Sequence, residues 1–321
     1  MTGSFNPDPE SPVWAMASCH VPGSGHLERL IPCQDRAGAW VSPRPCLMAL
    51  DGRGSARLSQ LGAMAALAAV RQAIEKWELE LSTLLDQSPP ELAAVGWRGL
   101  AQMLYHVAAS EQTKLAGWYE AKAGEFEFTL TIGVVGTTSI GWLTVGDSPL
   151  VILKNGILGL TAPLEDAAFA NQTTFVSASP SGDIGLRGGL IPTKGVEALI
   201  AMTDGTASRL IHLQDQVPAI AVAEIAKGLA SGEWPEDQLE SMLKDPSWDR
   251  VTRDDRSIAL LALQLPKPET PVQELPAQIP VESANPERAS STADADVSTS
   301  AQIPVEYANS SEGSPKPELR S

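Results

Sequence analysis

The stretch Cys46-Leu47-Met48-Ala49-Leu50-Asp51-Gly52-Arg53-Gly54-Ser55-Ala56 sets a short apolar run directly against an acid and a glycine. The run has strand length, and Asp51-Gly52 marks its end. The pattern returns along the chain. Leu199-Ile200-Ala201-Met202-Thr203 runs into Asp204-Gly205, Val145-Gly146 into Asp147-Ser148, and Pro32-Cys33-Gln34 into Asp35. Asp254 and Asp255 stand just before the apolar segment 257–264. Taken singly, an Asp-Gly after a strand is most often a turn. The ordered set is harder to attribute to chance. If these strand ends converge, the carboxylates repel one another unless they are protonated or bound to cations. Oxygen ligands with no Cys or His among them favour Mg²⁺ or Mn²⁺ over Zn²⁺.

Around these acids the pattern mixes helix and strand. Leu67, Val70, Ile74, Trp77, Leu81 and Leu84 recur at helical spacing, which predicts an amphipathic helix from near Arg57 to just before Pro89-Pro90. A second helix is predicted over 91–121, with Leu92, Val95, Leu100, Leu104 and Val107 as its apolar face and Gly96 and Gly99 weakening it. Phe126, Phe128, Leu130, Ile132 and Val134 alternate with other residues, as a strand does. Segments 139–145, 150–153 and 196–202 also read as strands, and Asn155-Gly156 turns the chain into a hairpin with 157–160. Segments 219–229 and 235–243 read as helices, and 257–264 closes the domain as a strand. Helices in blocks and strands in blocks predict an α+β layered fold, not a βαβ winding.

Composition narrows the function. Lys plus Arg is 23 against 39 Asp plus Glu, a formal net charge of −16. Phosphate neutralisation needs clustered cations, so nucleic acid is not the expected partner, and neither is an anionic membrane surface. Apolar runs such as 61–70 are too short for the roughly 18 residues of a membrane span, and residues 1–13 lack a basic region followed by an apolar one. Three cysteines without a CxxC pair predict a reduced, cytoplasmic protein with no disulfide framework. Cys33 could act as a nucleophile, but Asp35 beside it disfavours the thiolate. Residues 1–11 read as a flexible terminus and 12–265 as one domain. From Pro266 to Ser321 the chain holds nine of its 25 prolines and one aromatic, Tyr307, with 4 basic and 9 acidic residues. Such a segment cannot bury enough apolar surface to offset its ordering entropy. Within this tail AQIPVESAN at 277–285 recurs as AQIPVEYAN at 301–309. The repeat reads as a duplicated disordered linker or as two short motifs docking one partner bivalently. Gly23-Ser24-Gly25-His26 lacks the Lys of a P-loop and reads as a turn. The four histidines show no metal-ligand spacing, though His26 stays open; Trp77, Trp97 and Trp142 read as core.

Asp35 in Cys-Gln-Asp, Asp51-Gly52, Gly146-Asp147-Ser148, Thr203-Asp204-Gly205 and Asp254-Asp255, in that order over about 23–264, resemble the metal-dependent PP2C (PPM) protein phosphatases, and most of all their bacterial branch. The resemblance implies a four-layer αββα sandwich, two antiparallel sheets flanked by helix pairs. It implies hydrolysis of phosphoserine and phosphothreonine on proteins, the substrates of serine/threonine kinases, at two Mn²⁺ or Mg²⁺ ions with room for a third. By position, Asp51 would bridge the ions, the Gly52 carbonyl would bind one, and Asp204 and Asp255 would complete the other. Asp35 would orient a metal-held water, and Asp147 would help hold the third ion. Two cations sharing a carboxylate lower the pKa of a bridging water and stabilise charge in phosphoryl transfer. The chain departs from the family at Gln34, where Glu is frequent, at Leu30, where the phosphate-binding Arg stands when present, and at Arg53, where His or Met stands. The family's Gly-Thr-Thr or Gly-Ser-Thr is replaced by Phe126-Glu127-Phe128-Thr129. Arg53, Arg29 or Arg36 is then expected to meet substrate phosphate, or all three are solvated surface arginines. The alternative to an enzyme is a catalytically weak or inactive PP2C-like module that binds phosphoproteins or a kinase partner.

Overall fold

In the computed structural model the described residues are 13–164, 173–179, 184–234 and 236–264. The expected terminus 1–11 and tail 266–321, with its repeat, lie outside them. By internal contacts the chain divides into residues 1–268 and 269–321.

The first sheet has the order β2 (Arg36–Trp40), β3 (Cys46–Leu50), β4 (Leu130–Val135), β5 (Ser139–Val145) and β8 (Arg187–Pro192). The second has the order β1 (Trp14–Val21), β12 (Arg256–Leu263), β9 (Val196–Met202), β6 (Leu150–Lys154) and β7 (Ile157–Leu160). All pairings in both sheets are antiparallel. The sheets face each other across Leu47, Ala49, Ile140, Leu199, Ala201, Ala259 and Leu261. Helices α2 (Ser59–Lys76) and α4 (Pro90–Tyr119) cover the first sheet. The one helix expected from near Arg57 to just before Pro89 is divided: α2 ends at Lys76, and α3 (Glu78–Ser82) and a π-helical turn, Thr83–Gln87, follow. Helices α6 (Ile220–Ser231) and α7 (Glu236–Lys244) cover the second sheet, and β10 (Ile211–His212) pairs with β11 (Val217–Pro218) in a separate two-stranded ribbon. This is the αββα sandwich expected of the chain. Burial on both faces is why the central strands are continuous apolar runs; β3 is buried at all five positions. No helix among the described residues is long and apolar enough to cross a membrane.

Antiparallel pairing decides where the acids go. The end of each strand lies beside the start of its neighbour. Asp51 follows β3, and Leu50 at that end pairs with Arg36, so Asp35 lies alongside. The end of β5 meets the start of β4 through Val145 and Leu130, which brings Asp147 to the same edge. In the second sheet Ile258 pairs with Met202, so Asp254 and Asp255 enter β12 beside Asp204 leaving β9. Acids far apart in sequence thereby share one end of the sandwich.

Several expectations need correction. The long helix α4 is rotated from the predicted face: Leu92 and Val95 are exposed, and Ala93, Trp97, Leu100, Ala101, Leu104, Tyr105 and Ala108 are buried. Trp97 dominates that phase, because its ring fills the space under Gly141, where an added Cβ would lie 2.5 Å from it. The alternating run from Phe126 starts not as strand but as a 3₁₀ turn, Ala123–Phe126; Phe128 makes isolated bridges to Gly52 and Val176 before β4 begins. Its alternate side chains Phe126, Phe128, Leu130, Ile132 and Val134 are nonetheless fully buried, as the period implies. Segment 23–26 opens a short helix, α1 (Ser24–Arg29). Trp97 and Trp142 are core, while Trp77 is half-buried beside it. The Asn155-Gly156 hairpin forms as predicted, both residues at positive φ.

Candidate metal centre

The Asp51 carboxyl lies within hydrogen-bonding reach of those of Asp35 and Asp204. Burial, then the charges of Asp35, Asp204, Asp147 and Asp254, holds the Asp51 carboxyl well above its ordinary range. Asp35 is raised in the same way, first by burial and then by Asp255 and Asp204, against the Thr203 hydroxyl that donates to its Oδ2 at 2.6 Å. Asp204, at the start of α5 (Asp204–Leu210), faces solvent yet is pushed up to about 7 by desolvation and by Asp147 and Asp254. Gly205 after it is required by close approach, since a Cβ there would lie 2.0 Å from the Asp255 carbonyl oxygen. At Gly52 a Cβ would fall 2.8 Å from both the Gln34 carbonyl oxygen and Ser59 Oγ. Asp147 accepts from Thr173 Oγ1 at 2.9 Å through Oδ2, while its buried Oδ1 has no hydrogen-bond partner among the described residues.

Asp255 does something else. Its Oδ1 accepts from the Gly23 amide at 2.8 Å, and its Oδ2 accepts from the Gln34 amide at 2.6 Å and contacts His26 Nδ1 at 2.8 Å. Both oxygens are occupied and the side chain is buried. The solvent-facing acid that acts on Asp51 and Asp204 is Asp254. Sequence reasoning placed Asp255 in the ligand set, whereas the structure turns Asp254 toward the cluster. Thr203, which ties Asp35 to the Ser257 amide through its hydroxyl, carried no separate signal.

The arginines are all engaged. Arg53 Nη1 donates to Glu127 Oε2 at 2.6 Å, its Nε donates to Ser55 Oγ, and its guanidinium lies over the Phe175 ring. Arg36 donates to the Cys33 and Asp35 carbonyls, and Arg29 Nε to the Gly25 carbonyl. Gln34, in place of the family's Glu, is buried and donates through Nε2 to the Ala56 carbonyl. Burial and Asp35 raise the Cys33 thiol far above its ordinary pKa, against a nucleophilic role.

Among the described residues no group of three or more His, Cys, Asp or Glu side chains is placed to hold a metal ion by itself. Magnesium-type ions do not need such a group; they keep several waters and bind through few carboxylates. The donor set is all oxygen, its carboxyls repel one another, and Asp147 Oδ1 is an orphan among the described residues, so these residues fit hard divalent cations. The acids therefore set a stability signature. A carboxyl raised on folding holds its proton more tightly when folded, so its stabilisation is full below the unfolded pKa near 3.8 and is lost as pH rises to the folded value. In chelator the melting temperature should fall between about pH 4 and pH 7, and Mn²⁺ should restore it near pH 7. A flat profile by scanning calorimetry would show that the acids do not repel.

An antiparallel αββα sandwich with carboxylates gathered at one end of both sheets defines the class of protein. The chain belongs to the protein phosphatase 2C family, whose profile matches residues 22–244. Its fold is similar to that of the serine/threonine phosphatase Stp1 from Staphylococcus aureus, at 14% identity and a TM-score of 0.54, covering 83% of this chain and 100% of that one. A bacterial serine phosphatase matches at 14% identity and TM-score 0.51, covering 78% and 98%. A C. elegans sex-determining protein matches at 13% and 0.50, covering 78% and 65%. No curated protein matches the chain.

Proposed function

We propose that this chain is a Mn²⁺- or Mg²⁺-dependent protein serine/threonine phosphatase of the cytoplasm, acting on the products of serine/threonine kinases. The observation that carries the reading is the crowding of Asp35, Asp51 and Asp204, with Asp147 and Asp254 acting on them, at one end of the sandwich. Asp51, the Gly52 carbonyl, Asp204 and Asp254 would hold two ions, and Asp147 would take part in a weaker third site. Asp254 replaces Asp255 in that set because Asp255 has no free oxygen. The ions supply a lowered water pKa and charge stabilisation on the phosphoryl group. Asp35, held by Thr203, positions an attacking water by accepting its proton in a hydrogen bond. Phosphate release from p-nitrophenyl phosphate and from a phosphothreonine peptide tests this, with Mn²⁺, with chelator and with Asp204→Ala. Release that needs metal and is lost in Asp204→Ala is the expected result; no release under any condition would sink the reading.

Arg53 is the arginine that follows Asp51-Gly52, and we assign it the substrate phosphate. Its bond to Glu127 is partly exposed, so exchange of that partner for a phosphate dianion costs little. A charge-assisted bond contributes about 1.5 kcal/mol or more, so Arg53→Ala should raise KM for the peptide roughly tenfold or more with kcat little changed. An unchanged KM would leave Arg53 as Glu127's partner alone. One observation favours the second reading, a weak or inactive phosphoprotein-binding module: Arg29, Arg36 and Arg53 are all engaged with the protein itself. Peptide binding without turnover would select it.

A further inference from the structure

We propose that His26 is a positioning residue of the acidic centre, acting through Asp255 as a brace; this rests on the metal-centre reading above. His26 is 6% exposed, and its Nδ1 meets Asp255 Oδ2 at 2.8 Å. An ionised carboxylate only accepts, so Nδ1 carries the proton. The same carboxylate takes the Gly23 amide at 2.8 Å and the Gln34 amide at 2.6 Å. One buried side chain thereby joins three segments: the β1–α1 junction, the residue before Asp35, and the turn that carries Asp254. Each bond has a consequence at the centre. The Gln34 amide sets the backbone from which Asp35 projects. Asp255 itself sets the peptide next to Asp254. Gly23 lies backbone-to-backbone on that turn, where an added Cβ would fall 2.2 Å from the Asp254 carbonyl oxygen, and the Gly25 amide donates to the Arg253 carbonyl at 2.9 Å.

Without His26, Asp255 keeps its two amides but loses the one side chain of α1 that fixes the angle of its carboxyl. Outer partners of this kind typically change metal affinity by about 10–100-fold. A purely structural histidine would change stability and leave metal affinity alone.

The test compares two variants of similar polarity. In His26→Asn the side-chain amide nitrogen stands near the position of Nδ1; in His26→Gln it stands near that of Nε2. Mn²⁺ affinity is read by titration calorimetry on the full chain, melting temperature in chelator, and kcat and KM on p-nitrophenyl phosphate. His26→Asn should bind Mn²⁺ within about threefold of the unaltered protein, and His26→Gln at least about tenfold more weakly. The kcat of His26→Gln at fixed Mn²⁺ should fall while KM for p-nitrophenyl phosphate stays put. Equal Mn²⁺ affinity in both variants and the unaltered protein, whatever their melting temperatures, overturns the brace alone. Mn²⁺ binding without phosphate release in the unaltered protein overturns the phosphatase reading and leaves the affinities to decide the brace. No Mn²⁺ binding in the unaltered protein overturns both.

Discussion

Asp51→Asn is expected to lower Mn²⁺-dependent phosphate release from p-nitrophenyl phosphate by a thousandfold or more, beyond the roughly 10–100-fold of outer-shell changes. Asp51 is the acid on which the others act: Asp35, Asp204, Asp147 and Asp254 all raise its carboxyl. In the proposed centre both ions would depend on it, so its loss would remove the charge stabilisation they would supply. The same substitution should raise the melting temperature of the chelated protein near pH 7, because it deletes a charge from a crowded cluster. Opposite signs for activity and stability are the mark of a site held together against its own repulsion. If Asp51→Asn lowers both alike, the residue serves the fold and not the chemistry.

Trp97→Ala should cost about 3–5 kcal/mol of unfolding free energy. The indole is 1% exposed, its Nε1 donates to the Trp142 carbonyl at 2.9 Å, and it fills the space left by Gly141. Truncation opens a cavity between α4 and β5 and strands a buried carbonyl. Trp97→Phe should fall between the two, keeping most of the ring and losing the hydrogen bond. Urea unfolding reads both, as a lower midpoint with unchanged slope. A loss below about 1 kcal/mol for Trp97→Ala would mean that the helix layer closes over the gap. Because Trp97 lies on the helix layer and the acids sit at the strand ends, metal affinity of the surviving folded protein should not follow the stability loss.

Much of this was legible from sequence, for local reasons. An apolar run punctuated by Asp-Gly announces both a buried strand and its end, so Asp51 and Asp204 stand out without knowledge of their neighbours. The stripe from Leu67 to Leu84 marks helix by spacing alone, and Val70, Ile74 and Leu81 on it are buried, but the break at Trp77 carried no such signal. Asn155-Gly156 names its turn because few residues tolerate positive φ there.

Other features were decided only by tertiary structure. Asp254 and Asp255 are neighbours in the bend that leads into β12, yet Asp255 is buried and Asp254 exposed. Which one meets Asp204 depends on the register of β12 against β9, set by Ile258 opposite Met202. The phase of α4 was ambiguous because Ala, Leu and Val occur all round it, and packing of Trp97 under Gly141 chose the buried face. The arginines look free in the sequence, yet Glu127, which holds Arg53, lies 74 residues away. Patterns of one strand or one helix turn are properties of the chain. The meeting of carboxylates from two sheets is a property of strand register, which no single segment contains.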